Sequence, residues 1–373
     1  MPELLSPDSD LIIDLEDDED LDGEITQDRL LYNPEKINIA TKEPTIEQLL
    51  RRVGEDALDL APDFQRHANL WKDENKSRLI ESIMIRIPIP AFYIDGSNED
   101  RWLVVDGLQR LSALKQFILD KTLKLTGLEY LTSLEGKAYD EIDRRYQRRL
   151  EETQLTVYII EKGTPPEVKF NIFKRINTGG LSLSPQELRH ALNPGKSGHF
   201  LTELASSNEF KKIVRLTNAK IMRMVDREFV LVFLAFSMTS DRSYPSKGRN
   251  LFLIQAMALL NQFSEREFDD TRAKFKRALI ANQRIFGENA FRKTPKARKT
   301  PINQSLFESW MTIISNLVDD EIERLVERKR KLIELFSNQM ETDSKFSKSI
   351  SQVADLVEYR FETIDAIVKE VLK

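Results

Sequence analysis

The stretch from Trp102 to Leu114 constrains the fold of this chain more than any other. Four apolar residues lead into Asp106 and Gly107, and the leucines that follow recur at helical spacing, which predicts a buried strand, a short turn and an amphipathic helix. The first backbone N–H groups of a helix have no partners and face the positive end of its dipole, so this junction suits an anion. Gly107 admits a ligand close to the backbone, Asp106 can hold a hydroxyl, a metal or a water, and Arg110 can fork two hydrogen bonds onto a phosphate. The alternative is a plain strand–turn–helix with a surface arginine.

Composition excludes several kinds of site. The chain of 373 residues is long enough for about two domains, and it has no cysteine, which excludes disulfides and thiolate metal sites. Three scattered histidines, His67, His190 and His199, are too few for a zinc centre or an HNH-type nuclease site. The longest apolar run, residues 229–238, is too short to span a membrane and is predicted to be a buried helix. Because the N-terminus is acidic, with no signal peptide, we expect a soluble, cytoplasmic protein with no membrane partner.

Charge is distributed unevenly along the chain. Residues 1–28 carry twelve acidic side chains and no basic ones, whereas the remaining 345 residues carry 56 basic and 49 acidic side chains. The acidic segment is therefore predicted to be disordered, and the mildly basic body could meet nucleic acid. Residues 274–299 hold nine basic and one acidic side chain, interleaved with Phe275, Phe286 and Phe291. Such a stretch can bind nucleic acid; the favoured alternative is a helix followed by a flexible basic loop.

Apolar spacing predicts both helices and strands in the N-terminal half. Thr45 is expected to begin a helix that ends near Gly54, and a second helix is expected to carry its apolar stripe through Ile87 and to stop at Pro88. Strands are predicted at residues 91–94, 102–105 and 154–160, and the first two are spaced as a hairpin.

The C-terminal half carries only helical patterns. Ser184 followed by Pro185 and Glu187 predicts a capped helix start, and helical spacing continues from about residue 185 onward. His190 lies on this first helix and is expected to be a partly buried structural residue. The pattern as a whole predicts an α+β protein, with a small mixed sheet followed by an all-helical domain.

Several short motifs occur in order between residues 32 and 195. They are Phe64-Gln65-Arg66 with Trp71, Leu79-Ile-Glu-Ser82, Pro88-Ile-Pro90, Val105-Asp106-Gly107-Leu108-Gln109-Arg110-Leu111, and Phe173-Lys-Arg-Ile-Asn177-Thr-Gly179-Gly180 with Leu183, Ser184 and Glu187. Together they resemble the N-terminal domain of GmrSD-type modification-dependent restriction systems, with its DGQQR-type motif. That family is related to the ParB/sulfiredoxin-like fold. The resemblance implies a nucleotide-binding domain at residues 32–182, between an acidic tail at 1–31 and a helical domain at 183–373.

The resemblance also implies a nucleotide site assembled from separate parts of the chain. Its catalytic residues would be Asp106, Gln109 and Arg110, and its cofactor-binding residues would be Gln65, Arg66, Gly107, Arg175 and Asn177. The cofactor would be an NTP with Mg²⁺, and no protein side chain is predicted to form a metal site. This sequence has Leu108 where the family often has glutamine, so one polar contact of the motif is missing.

Individual side chains leave two roles open. Arg66 and Arg110 can clamp phosphates, or they can pair with Asp63 and Asp106. Gln109 can orient a water or a base, or it can cap the helix. Asn177 can point into the pocket or end its helix, and Trp71 can stack on a base or belong to the core.

The function predicted from these residues and the resemblance is an NTP-binding, NTP-hydrolysing component of a DNA-restriction or phage-defence system. It would control a partner through a nucleotide-driven conformational switch. The implied partners are a nucleotide, DNA and a separate nuclease or other defence protein, because this chain lacks the histidines of the HNH domain found in larger family members. The alternative is a non-enzymatic DNA-binding or regulatory adaptor that retains the fold without turnover.

Overall fold

The structure is a computed structural model that describes residues 38–60, 71–176, 183–239, 248–293, 301–351 and 354–373. The predicted acidic tail at residues 1–31 lies outside these ranges. The chain divides into two compact units at Leu183, the first formed by a small sheet with its helices and the second by helices. The prediction of an α+β fold with a small mixed sheet followed by a helical region is confirmed.

A five-stranded mixed sheet forms the centre of the first unit. Its strands are β1 (Ile39–Lys42), β2 (Leu58–Asp59), β3 (Phe92–Asp95), β4 (Trp102–Asp106) and β5 (Val157–Ile160), arranged in the order β1-β5-β3-β4-β2. The predicted hairpin is confirmed, since β3 and β4 pair antiparallel, with an irregularity in register next to Tyr93. Tyr93 pairs with both Asp106 and Tyr158. The C-terminal end of β4 therefore lies at the same sheet edge as the N-terminal ends of β3 and β5.

Helices cover the apolar face of this sheet. The helices of the unit are α1 (Ile46–Gly54), α2 (Asp73–Met84), α3 (Leu108–Leu114), α4 (Arg144–Glu152) and α5 (Pro166–Ile176), and α3 continues directly into a π-helical turn, Lys115–Leu119. As predicted, Thr45 begins α1, and it does so with a reciprocal capping box to Gln48. Alternate residues of the central strands pack with the apolar stripes of α1 to α4, and these include Ile46, Leu49, Ile80, Ile83, Phe92, Ile94, Val104, Leu111, Leu114, Leu150, Val157 and Ile159.

The end of α2 differs from the prediction. The helix stops at Met84, so the expectation that it continues through Ile87 is wrong. Arg86 adopts a left-handed backbone conformation with φ of 66°, and it donates its N–H to the carbonyl of Ile83 while Ile87 donates to Ser82. This is the hydrogen-bond pattern of a Schellman motif, in which glycine usually occupies the left-handed position. As a result Ile87 leaves the apolar stripe and is 49% exposed.

Glu81 on α2 fixes the loop that follows α3. Its buried carboxylate accepts backbone N–H groups from Glu129, Tyr130 and Leu131, at 3.0, 2.8 and 2.7 Å. Burial alone would raise the pKa of Glu81, but the three N–H donors lower it below its ordinary value. The sequence marked this residue only as part of a motif, and its contacts give it a structural role.

The second unit is built entirely of helices in the part of it that the structure describes. They are α6 (Pro185–Leu192), α7 (Lys196–Ser206), α8 (Asn208–Ile213), α9 (Asn218–Met222), α10 (Val225–Met238), α11 (Arg249–Leu260), α12 (Glu265–Phe286), α13 (Gln304–Ser315), α14 (Asp319–Glu327), α15 (Lys329–Thr342), α16 (Ser344–Ser349) and α17 (Val357–Leu372). The apolar run at 229–238 lies in α10, where residues 229–236 are all buried, so the predicted buried helix is confirmed. Across the described ranges, no helix is both long enough and apolar enough to cross a membrane.

An ion pair lies inside the core of the helical unit. Arg360 and Glu308 each expose 1% of their side chains, and the Arg360 guanidinium donates to Glu308. Arg360 also donates to the Ser309 hydroxyl at 2.9 Å, and a nitrogen of Arg249 lies 3.6 Å from the second oxygen of Glu308. Burying charges costs solvation energy, so each partner depends on the other for compensation.

Candidate functional site

The turn between β4 and α3 is shaped by a glycine that no other residue could replace without strain. Gly107 has a φ of +99°, in the left-handed region, and it precedes α3 without a capping side chain. A Cβ atom at this position would lie 2.3 Å from Cδ1 of Phe92 and 2.8 Å from its Cε1. The turn is therefore held tightly against the first residue of β3.

Arg110 ties this turn to the segment that precedes β3. Its guanidinium forms an ion pair with Asp106, Nη2 to Oδ2 at 2.8 Å, and lies 4.6 Å from the ring centroid of Phe92. Both terminal nitrogens donate to the carbonyl of Ala91 at 3.2 Å, and Nη1 also donates to the carbonyl of Pro90. Burial lowers the pKa of Arg110, and the charge of Asp106 opposes this shift. The structure shows the pairing with Asp106 that the sequence offered as the alternative to a phosphate clamp.

Other polar groups of the turn have no partner. The side-chain oxygen of Gln109 is buried and accepts no hydrogen bond from the described residues. Within the same part of the chain, no hydrogen bond is made by the N–H groups at the start of α3, those of Leu108, Gln109 and Arg110. Asp106 uses one carboxylate oxygen for Arg110, and its side chain is 30% exposed. The turn therefore offers backbone N–H donors and side-chain oxygen acceptors to a ligand, beside the Arg110 guanidinium that is already hydrogen-bonded. Leu108 instead packs against the apolar core.

Of the remaining predicted site residues, the structure describes one. Gln65, Arg66 and Asn177 lie outside the described residues. Arg175 is exposed in the last turn of α5.

Trp71 and His190 both pack against neighbouring parts of the fold. Trp71 packs against the core of the first unit, in agreement with the core alternative. His190 is half-buried on α6, and a Cβ at Gly198 would lie 2.5 Å from its Cε1, so the ring packs closely on α7. This packing is what we expected for a structural histidine.

The second face of the sheet carries a polar cluster that the sequence did not predict. Asp95 at the end of β3 pairs with Lys169 of α5 at 3.2 Å, and the two side chains are 11% and 14% exposed. The Ser97 hydroxyl donates to Asp95 at 2.5 Å and accepts from Lys169. A carboxylate ending a strand was visible in the sequence, but nothing in the spacing identified a lysine 74 residues later as its partner.

The basic segment at residues 274–299 is mainly a packed helix. Its three phenylalanines are buried in the core, so their rings are not available for stacking on bases. They are Phe275, Phe286 and Phe291. The charges on α12 face acidic neighbours, with Arg277 2.9 Å from Asp319 and Arg284 2.5 Å from Glu323. The helix of the alternative is confirmed up to Phe286, and residues 294–299 of the expected loop lie outside the described ranges.

The described side chains do not form a cluster of metal ligands. These residues contain no group of three or more His, Cys, Asp or Glu side chains that could hold a metal ion. Asp106 is a single carboxylate with one oxygen already engaged by Arg110.

Comparison with known proteins identifies the family of the N-terminal part. Residues 46–193 match the model of the family described as "GmrSD restriction endonuclease, N-terminal domain". This part of the chain is therefore similar to that domain family. The match contains β2 to β5, the Asp106–Arg110 turn and α6, and it associates the chain with restriction systems. Neither the curated proteins nor the solved structures contain a match to the chain.

The matched region ends at residue 193, directly after α6, so it includes the helix start at Ser184. Ser184 accepts the N–H of Glu187, and the Glu187 carboxylate accepts the N–H of Ser184, which is the predicted capping box. Glu187 is completely buried and also pairs with Arg223 at 3.1 Å. This part of the motif therefore fixes the first helix of the helical unit.

Proposed function

We propose that this protein is the nucleotide-binding component of a DNA-restriction system and that it binds an NTP with Mg²⁺ at the Asp106–Arg110 turn. The observation that carries the proposal is the buried oxygen of Gln109 without a partner among the described residues. An unsatisfied buried polar atom destabilises a fold, so it is typically retained where a ligand or water completes it. Its position next to unbonded N–H groups and a half-exposed carboxylate supports a polar, phosphate-bearing ligand.

Each group of the turn has a distinct task in this proposal. The N–H groups of residues 108–110 would receive a phosphate oxygen, and Gln109 would accept a hydrogen bond from a ribose hydroxyl or a base. Asp106 would hold Mg²⁺ through its exposed oxygen or through a water. Arg110 would position Asp106 and would not itself contact the phosphates. Hydrolysis would serve to switch the protein between states that a nuclease partner and DNA distinguish.

One observation favours the second candidate, a regulatory or DNA-binding adaptor without turnover. Leu108 contributes an apolar side chain to the core where the family often has glutamine, and Arg110 is committed to structural contacts. Under this alternative the turn would bind nucleotide without hydrolysing it, or would bind none. Measuring nucleotide binding and phosphate release separately distinguishes the two candidates.

The test is calorimetric titration of all four NTPs, with Mg²⁺, into the full chain and into Gln109→Met. Methionine is nearly isosteric and removes the buried oxygen, so the variant should keep or slightly gain stability while losing one ligand contact. A lost neutral hydrogen bond is worth about 0.5–1.5 kcal/mol, or roughly two- to tenfold in Kd.

Gln262→Met, at an exposed position of the helical unit, is the matched control and should leave nucleotide affinity unchanged. No detectable binding of any NTP by the unaltered chain contradicts the proposal. Equal affinities in the unaltered chain and Gln109→Met contradict the placement of the site. Phosphate release that follows nucleotide binding supports the first candidate, and binding without release supports the second.

A further inference from the structure

A cleft with four arginines opens on the first unit, next to the loop that leaves α2. It has a volume of about 710 Å³, and its charged lining consists of Arg86, Arg145, Arg148 and Arg149 with one acid, Glu152. Its lining also includes residues 153–156, directly before β5, and residues 87–89, which lead toward β3. The cleft is therefore strongly basic although the chain as a whole has a net charge of −5.

Most of the positive charge in the cleft is not neutralised by a close acidic partner among the described residues. Arg86 and Arg148 form no ion pair within 4 Å with any described residue, and Arg145 lies 3.6 Å from Asp143 with both side chains about two-thirds exposed. A terminal nitrogen of Arg149 donates to the carbonyl of Met84, which fixes the position of its guanidinium. Leu150 is buried and fixes α4 on the core. Positive charge is thus presented to solvent from a rigid helix.

Two of these arginines occupy positions where the local backbone conformation or the helix dipole disfavours an arginine. Arg86 occupies the left-handed position of a Schellman motif, which glycine adopts at lower cost. Arg145 lies in the first turn of α4, where the helix dipole disfavours a basic residue, and Asp143 at the N-cap is its acidic neighbour. Local conflicts of this kind are expected where side chains are kept for function. Both conflicts place an arginine in the same cleft.

We propose that this cleft binds the phosphodiester backbone of nucleic acid. Arginines present planar, forked donors that match phosphate oxygens, and four of them along an open cleft suit consecutive phosphates better than a single small anion. Exposed Ile87 and Pro88 at the rim give sugars an apolar surface. The proposal concerns a different site from the Asp106–Arg110 turn, and it does not depend on nucleotide binding there.

The decisive experiment is fluorescence anisotropy with a short labelled DNA duplex and with its labelled single strand, each titrated with the full chain across a salt series. The double variant Arg145→Gln with Arg148→Gln removes two exposed charges of the cleft. Each lost phosphate contact should lower the salt slope by about 0.7–0.9, and the pair should weaken binding on the order of tenfold at low salt.

A matched control variant removes two positive charges from the helical unit, outside the cleft. Arg324→Gln with Arg330→Gln alters two exposed arginines of the helical unit and should leave both affinity and salt slope close to those of the unaltered chain. Arg86→Gly separates binding from folding, because it relieves the left-handed strain while removing a cleft arginine. It should raise the unfolding midpoint or leave it unchanged, and yet weaken DNA binding.

The outcomes are distinct. Loss of DNA affinity in the cleft double variant and in Arg86→Gly, but not in the control, supports the proposal for whichever probe, duplex or single strand, shows it. Equal DNA affinity and salt slope in the cleft and control variants overturn it. If a free NTP loses affinity in the cleft variants while both DNA probes do not, the site binds a nucleotide and the proposal is also overturned.

Discussion

Replacing Arg110 by alanine tests whether this arginine is a positioning residue of the fold. The substitution removes the donors that the carbonyls of Pro90 and Ala91 and the carboxylate of Asp106 now accept. It also removes the guanidinium that lies 4.6 Å from the Phe92 ring. We expect the hairpin of β3 and β4 to be destabilised even when no ligand is present.

The magnitude follows from these contacts. Leaving a buried acceptor without its donor costs about 1–3 kcal/mol, and the lower end applies here because these acceptors are only partly buried. Three acceptors at about 1 kcal/mol each, with about 0.5–1 kcal/mol for the cation–π contact, give about 3–4 kcal/mol. Arg101→Ala is the control, because Arg101 pairs with Asp59 at 2.6 Å but is 56% exposed, and surface pairs contribute about 0–1 kcal/mol.

Native-state hydrogen exchange measures the loss of stability directly in the β3–β4 hairpin of the first unit. Amides of β3 and β4 that exchange through opening of the hairpin should exchange at least about a hundredfold faster in Arg110→Ala, since each 1.4 kcal/mol is tenfold. The Arg101→Ala protein should change exchange by less than about tenfold. Unchanged protection of β3 and β4 in Arg110→Ala would refute the structural role and would return Arg110 to the set of ligand contacts.

Three further substitutions test other parts of the fold. Gly107→Ala should cost at least about 2 kcal/mol of unfolding free energy, from left-handed strain plus overlap with the neighbouring ring, whereas Gly136→Ala, with a φ of +76° and open space, should cost only about 1 kcal/mol in urea denaturation. The pKa of Glu81 is lowered in the folded state, so its contribution is present above pH about 4.5 and is lost as pH falls below that value. Glu81→Gln should lower stability at pH 7 and flatten that part of the pH profile measured by circular dichroism. Arg360→Ala should cost about 3–5 kcal/mol by leaving Glu308 buried without its partner, and adding Glu308→Leu should recover part of the loss in the same urea assay.

Features set by neighbouring residues could be predicted from the sequence. The helix starts at Thr45 and Ser184 could be predicted, and in the structure each forms a capping box with a residue three positions later. The β3–β4 hairpin followed from two apolar runs separated by a short polar connection. In each case the interactions that form the feature lie within a few residues of the sequence pattern, so the pattern is sufficient to predict the feature.

Features that depend on distant contacts or on rare backbone conformations could not be predicted. The left-handed conformation of Arg86 ends α2 early, and no helix-stop signal other than the later proline marks it. The spacing of the sequence allows Arg110 to contact either Asp106 or a phosphate. In the structure, the carbonyls of Pro90 and Ala91, about twenty residues earlier in the chain, accept hydrogen bonds from Arg110 and hold it beside Asp106. The arginines of the cleft come from two segments about sixty residues apart, so no local spacing pattern could bring them together.

The Asp106–Arg110 turn and the arginine cleft share one segment of chain, and this has a consequence for the proposed function. Arg110 holds the carbonyls of Pro90 and Ala91, and residues 87–89, directly before them, line the cleft. A nucleotide that contacts only the backbone of the turn and Gln109 leaves this connection intact, and DNA and nucleotide should then bind independently. A nucleotide whose phosphate draws the Arg110 guanidinium must release both carbonyls and change the wall of the cleft. Binding free energies are reciprocal, so DNA would then alter nucleotide affinity by the same factor as nucleotide alters DNA affinity. Titrating nucleotide with and without saturating DNA decides between these cases: equal affinities exclude a switch through Arg110, and a shift that disappears in Arg110→Lys locates the switch in this segment.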